Sequence, residues 1–194
     1  MLIASAVSLD AELNASEISF GAFLPADPLN VNLFLAQDPS CDQSDGTIIV
    51  VVDGGSTDKT IKIAEDFAAK VLRAPKGRAK QLNLGAKRAT GDILYFLHAD
   101  TIPPKNFDLS ILNAVKKGYE TGCFQLNFDS KSRFLRFFAW FTRVNHKFFR
   151  GGDQSLFITK TLFESTGGFN EDYVVFEDNE FISRLYRTTS FRVL

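Results

Sequence analysis

The sequence predicts an α/β protein with a mixed, mostly parallel central sheet and helices on both faces, and three observations predict it. Thr47 to Val52 is an unbroken β-branched run that stops on Asp53-Gly54-Gly55, and Asp92 to Leu97, apolar from Ile93 onward, reads as a second buried strand that stops on His98-Ala99-Asp100. Continuous rather than alternating apolar runs suit strands covered on both faces, as in parallel sheets. Between the two lie segments with apolar residues at three- and four-residue spacing, the signature of amphipathic helices.

Residues 1–16 have no assigned element. Glu17 to Pro25 has the apolar content of a strand, weakened by Gly21 and ended by Pro25. Asn30 to Gln37 is expected to be a short helix closed by Asp38-Pro39, and Cys41 to Gly46 a polar loop. After the first buried strand, Gly54 and Gly55 permit a tight turn, and Ser56 or Thr57 is expected to cap the next helix. Ile61, Ala64, Ala68 and Val71 place that helix over Asp58 to Lys70, followed by a short strand from Val71 to Arg73. Ala79, Leu82, Ala86 and Ala89 mark a second helix that exits at Thr90-Gly91.

Beyond the second buried strand, Phe107 to Lys117 reads as a helix stopped by Gly118. Gly122, Phe124, Leu126 and Phe128 alternate with polar or small residues, as in a half-buried strand. Phe134, Phe137, Phe138 and Phe141 predict a helix over Lys131 to Arg150, with six Lys or Arg and no acid. Asp153 to Thr159 is expected to be a strand and Leu162 to Ser165 a helical turn. Phe181, Ile182 and Leu185 give a last helix face, with Glu177 and Asp178 in its first turn.

Composition narrows the classes of function. With 194 residues, 45% hydrophobic and 23% charged, the chain is long enough for one substantial core, so a single domain over 1–194 is expected. A formal net charge of −1 gives no global attraction for nucleic acid. The two cysteines stand apart from any metal-ligand spacing, which fits a reducing, cytoplasmic setting. No apolar run reaches the roughly 18 to 20 residues that span a bilayer, and the start lacks the basic region of a signal peptide.

The candidate chemistry lies where strands end. In open α/β sheets ligands bind beyond the carboxyl ends of the strands, so Asp53 and Asp100, expected on adjacent strand ends, meet at one edge. A carboxylate beside a phosphate can hold Mg²⁺ or Mn²⁺, hard cations that prefer oxygen. Asp100 is the metal candidate; a turn-capping acid is its ordinary alternative. His98 can face the same pocket and contact a ribose or phosphate, or can simply be packed. Arg78 and Lys80, at the start of the second helix, can meet phosphates with charge and helix amides, or form a solvated basic face. The acid pair Glu177-Asp178 precedes an apolar helix face, so Asp178 is expected to point inward toward the sheet. Beside a metal-phosphate site it is a candidate general base, although acids favour first turns for the helix dipole alone. The basic, Phe-rich stretch 131–150 is either core with a solvated rim or a peripheral membrane contact.

Val51 to Asp58, Gly77 to Ala86, Gly91 to Thr101, Gly151 to Phe157, Gly167 to Phe169 and Glu177-Asp178, in this order, resemble the family 2 glycosyltransferases. The nearest likeness is to the subgroup associated with radical-SAM and selenodomain proteins, some of the arsenosugar-biosynthesis type. The resemblance covers roughly residues 17–190 and implies the GT-A, Rossmann-like fold and a nucleotide-diphosphate-sugar donor. It implies Asp53, Gly54 and Ser56 on the nucleoside side, and Arg78 and His98 near the nucleotide. It places Asp100 on a Mg or Mn cation, with His98 standing where the family's Asp-x-Asp element has its first acid. It implies Asp178, with Glu177 beside it, as the catalytic acid pair for inverting transfer to an acceptor hydroxyl. Two departures accompany it. Pro25 is followed by Ala26-Asp27-Pro28-Leu29 rather than a Pro-x-x-Asn-Glu-like stretch, and the C-terminal end of the family domain is expected to be missing after Leu194. The competing expectation is a non-catalytic nucleotide-binding or structural module.

Overall fold

The structure is a computed structural model that describes residues 31–37, 48–66, 70–98, 101–127, 137, 139–150 and 154–194. Seven strands, β1 (Val31–Gln37), β2 (Ile48–Asp53), β3 (Lys70–Arg73), β4 (Ile93–Leu97), β5 (Thr121–Cys123), β6 (Leu156–Thr159) and β7 (Phe191–Val193), form one sheet in the order β3-β2-β1-β4-β6-β5-β7. The helices are α1 (Thr60–Asp66), α2 (Arg78–Arg88), α3 (Phe107–Lys116), α4 (Lys160–Ser165) and α5 (Glu177–Thr188).

Strand direction follows from the pairings. β1 is antiparallel to both β2 and β4, so β2 and β4 run the same way. β3 is parallel to β2, β6 antiparallel to β4, β5 antiparallel to β6, and β7 parallel to β5. Five strands therefore share one direction, and β1 and β6 oppose them. The sheet is mostly parallel in strand direction, yet its reversed strands make most of its ladders antiparallel.

The β-branched run of β2 is buried on both faces, as its continuous pattern predicts. Val50 and Val52 join α2, α4 and α5 in one core through Leu82, Leu162, Phe163, Phe181, Ile182 and Leu185. Ile49 and Val51 join α1 and α3 in a second core through Ala64, Phe107, Ile111 and Ala114. Alternate residues of one strand thus anchor two opposed helical layers.

Several expectations are corrected. Asn30 to Gln37 supplies a strand, Val31–Gln37, not a helix. It is paired with β2 from Val31 to Ala36 and with β4 from Leu33 to Gln37, and ladders on both sides outweigh helix propensity in so short an apolar run. The helix expected over Asp58 to Lys70 starts at Thr60, whose N–H donates to Asp58 Oδ1 at 3.0 Å. Asp58 is the capping acid, not Ser56 or Thr57, and Lys70 already belongs to β3. The strand expected over Gly122 to Phe128 ends as a ladder at Cys123, although Leu194 N donates to Cys123 O and Gln125 N to Leu194 O. The helix expected over Lys131 to Arg150 does not reach Arg150. Among its described residues, helical turns stop at Phe141 and a separate 3₁₀ turn spans Lys147–Phe149. Arg150 is buried rather than solvated, and its guanidinium donates to the carbonyls of Thr142 and Phe149. The strand expected over Glu17 to Pro25 lies outside the described residues, as do Cys41 and Asp100.

Candidate active site

β2 and β4 end at the same edge of the sheet but are not neighbours, because β1 lies between them. Two strand spacings, about 10 Å, separate their ends. The expectation that the two strand ends are adjacent is corrected accordingly: β1, opposite Asp53 on one side and Leu97 on the other, separates them.

At the end of β2, Asp53 is buried and its carboxylate accepts the N–H of Gly55 through Oδ2 and of Ser56 through Oδ1, both at 3.0 Å. The acid therefore holds the Gly54–Ser56 turn closed, and Gly55 takes φ +106°, a value that favours glycine. Gln81, fully buried on α2, donates to Val52 O at 3.1 Å and ties that helix to the same strand end.

α2 begins beside this edge with Arg78. Its Nε lies 3.1 Å from Glu177 Oε1, and its Nη2 lies 2.9 Å from His98 Nε2 and 3.2 Å from Nδ1. The first residue of α2, the residue after β4 and the first residue of α5 are thereby joined. The Glu177 contact is an ion pair without hydrogen-bond alignment, and Oε1 gains no other hydrogen-bond partner among the described residues. Burial is the chief cause of a Glu177 pKa held above the ordinary carboxylate value; the Arg78 charge offsets it in part.

Arg78, His98 and Asp178 share a cavity of about 30 Å³ with Phe96, Gln154 and Phe169. Asp178 is half-buried, whereas the deeply buried acid of the pair is Glu177. Asp178, expected to be the inward acid, lines the cavity, while Glu177 is the more deeply buried of the two and faces Arg78. The three acids of this first turn, Glu177, Asp178 and Glu180, suit the positive end of the helix. A cavity of this size holds about one water, so it forms the floor of a site and not a pocket for a whole nucleotide. Lys80, the second basic candidate of α2, is exposed.

Among the described residues no group of three or more His, Cys, Asp or Glu stands where it could hold a metal ion.

Two supporting residues escaped sequence reasoning. Asn83 donates to Phe169 O and Glu171 Oε1 and accepts from Phe169 N, docking the 167–171 loop on α2. Arg184 pairs with Glu180 and donates to Gly168 O, holding the same loop from α5. A lone polar residue on a helix carries no signal of the distant loop it will meet.

Comparison with solved structures assigns the fold to a class. The Staphylococcus aureus protein TarS (residues 1–349) superposes with a TM-score of 0.58 at 19% identity, over 75% of this chain and 48% of that one. A mannosyltransferase from Pyrobaculum calidifontis, solved with GDP-Man and Mn²⁺, gives 0.51 at 23% identity, over 75% and 44%. The fold is that of the GT-A glycosyltransferases. The glycosyl transferase family 2 model matches residues 36–176, and the chain belongs to that family. The probable glycosyltransferase YdaM of Bacillus subtilis (strain 168) is 28% identical over 163 residues, 71% of this chain and 39% of YdaM. The chain thus spans well under half the length of that relative.

Proposed function

We propose that this chain transfers a sugar, with inversion, from a nucleotide-diphosphate-sugar to an acceptor hydroxyl. The observation that carries the reading is the convergence of Arg78, His98 and Asp178 on one cavity at the edge where β2 and β4 end. TarS has been solved with UDP and the Pyrobaculum enzyme with GDP-Man and Mn²⁺, which supports a nucleotide at this edge.

The donor would lie over the cavity, its nucleoside against the Gly54–Ser56 turn that Asp53 holds closed. Arg78 and His98 would meet its phosphates. Asp100, two residues beyond His98, would hold a Mg or Mn cation, which when bound would neutralise charge on the departing diphosphate. The Asp178 carboxylate would take the acceptor's hydroxyl proton while that oxygen bonds to the anomeric carbon. The bond from that carbon to the diphosphate oxygen breaks, its electron pair leaves with the nucleotide, and the anomeric centre inverts. The resemblance to the radical-SAM-associated subgroup, in which the histidine of His98-Ala99-Asp100 also stands in place of the first acid, belongs to the same proposal.

The 131–150 stretch supports a peripheral contact with an anionic membrane from the cytoplasmic side. Phe137, Trp140 and Phe148 are exposed, Arg143 and Lys147 lie among them, and the stretch has no acid. Among the described residues no helix is long and apolar enough to cross a membrane. We further propose that 1–194 forms one transferase-type domain.

Calorimetry with UDP and GDP, with and without Mn²⁺, tests the reading. Metal-dependent binding that disappears in Asp100→Ala is expected; no binding of either nucleotide under any condition overturns it.

A further inference from the structure

We infer that Glu177 is a positioning residue, one that holds the Arg78 guanidinium in place for the donor diphosphate and takes no part in proton transfer. This rests on the nucleotide-sugar reading of the site.

A general base must come within about 2.6–3.2 Å of the proton it removes. The Glu177 side chain is 2% exposed, and its Oε1 faces Arg78 Nε at 3.1 Å. An acceptor hydroxyl cannot approach that oxygen without displacing the arginine. Asp178, one residue on and about 100° around the helix, lines the cavity instead. The pair divides the work: one acid faces the cavity and the other faces the cation.

Arg78 needs such a partner. Its side chain is 35% exposed at the rim of the site, and a long guanidinium side chain left free loses rotamer entropy when it clamps an anion. Glu177 on Nε and His98 on Nη2 anchor the head from α5 and from the end of β4, so that entropy is lost on folding and not on binding. The planar fork suits phosphate oxygens once it is oriented. Burying a carboxylate with one misaligned ion pair costs stability, and its raised pKa reflects that cost.

The test uses UDP and GDP, each with Mn²⁺, in calorimetry. Glu177→Gln is expected to weaken nucleotide affinity roughly tenfold, about 1.4 kcal/mol, and to cause no further loss when placed on Arg78→Gln. Glu65→Gln, which removes an exposed acid from α1 on the opposite face of the sheet, should leave affinity unchanged. An unaltered affinity in Glu177→Gln, or an equal loss on top of Arg78→Gln, overturns the inference. A second measurement needs no ligand. The chain has two histidines, and the His98 ring proton resonance, assigned with His98→Gln, should move in Glu177→Gln at fixed pH while that of His146 stays. If wild type binds no nucleotide, the functional reading fails, and an unmoved His98 resonance separately defeats the positioning role. Should Glu177→Gln not fold, Glu177→Asp, which keeps the charge on a shorter stem, is expected to show a smaller loss that also vanishes on Arg78→Gln.

Discussion

Arg78 Nε and Glu177 Oε1 stand 3.1 Å apart, joining the first residue of α2 to the first residue of α5 across the edge where β4 ends. The pair is electrostatically unequal, because burial raises the Glu177 pKa more than the arginine lowers it. A carboxyl with a folded pKa above its unfolded value binds more protons when folded, so its contribution is fully present below about 4.5 and is lost as pH rises through the folded value. Urea denaturation of wild type and Glu177→Gln across pH 4 to 8 should therefore show the glutamine variant gaining relative to wild type as pH rises. A deficit that grows with pH would mean that the ion pair, and not burial, dominates.

Asn83 is the hinge pin of the loop that precedes α5. It makes three hydrogen bonds to Phe169 and Glu171, two of them to backbone, and its removal leaves the Phe169 N–H and C=O without those partners. Asn83→Ala is expected to cost about 1–3 kcal/mol. Equilibrium denaturation checks this, and proteolytic nicking near 170–176 should rise with it. A variant as stable as wild type would show that water replaces the side chain at no cost.

What the sequence discloses and what it conceals divide along physical lines. β2 and β4 were legible because a continuous apolar run buried on both faces, β-branched in β2 and Leu- and aromatic-rich in β4, presents no alternation to confuse it, and α2 and α5 because their apolar spacing is carried by Leu82 and Ala86, and by Phe181 and Leu185. Val31–Gln37 was not, since a short apolar segment becomes a strand only once β2 and β4 flank it. β7 is three residues long and exists through its pairing with β5. At the site, Arg78, His98 and Asp178 were each proposed from the chain and do meet at one cavity. The ion pair between Glu177 and Arg78 was invisible, because nothing local sets which of two consecutive acids turns toward a distant helix.

Cys123 should be chemically silent in the native protein. It is buried, burial pushes its thiol up to about 11, and Arg150 offsets this only in part. At pH 8 about one thiol in a thousand would then be ionised, and the thiolate is the reactive form. Iodoacetamide treatment under native conditions followed by mass spectrometry should leave Cys123 unmodified, with full labelling after denaturation. Rapid native labelling would mean that β5 opens from β6 and β7 far more often than its packing implies.

Gly122 is the glycine of β5 that a methyl group should break. A Cβ built there would lie 2.1 Å from the carbonyl oxygen of Arg192 and 2.6 Å from the Phe157 ring. The first is backbone of β7, paired with Gly122 in the sheet, and the second belongs to a ring with no exposed surface. Neither can withdraw without parting strands, so this is a clash with the fold and not with a movable side chain. Overpacking ordinarily costs about 1–3 kcal/mol, and Gly122→Ala is expected at or above the top of that range. Because α5 leads directly into β7, the same change should loosen the helix that carries Glu177 and Asp178. Denaturant melts of Gly122→Ala, together with hydrogen exchange of the α5 amides, check both effects. Wild-type stability with wild-type protection in α5 would show that β5 and β7 can separate at little cost.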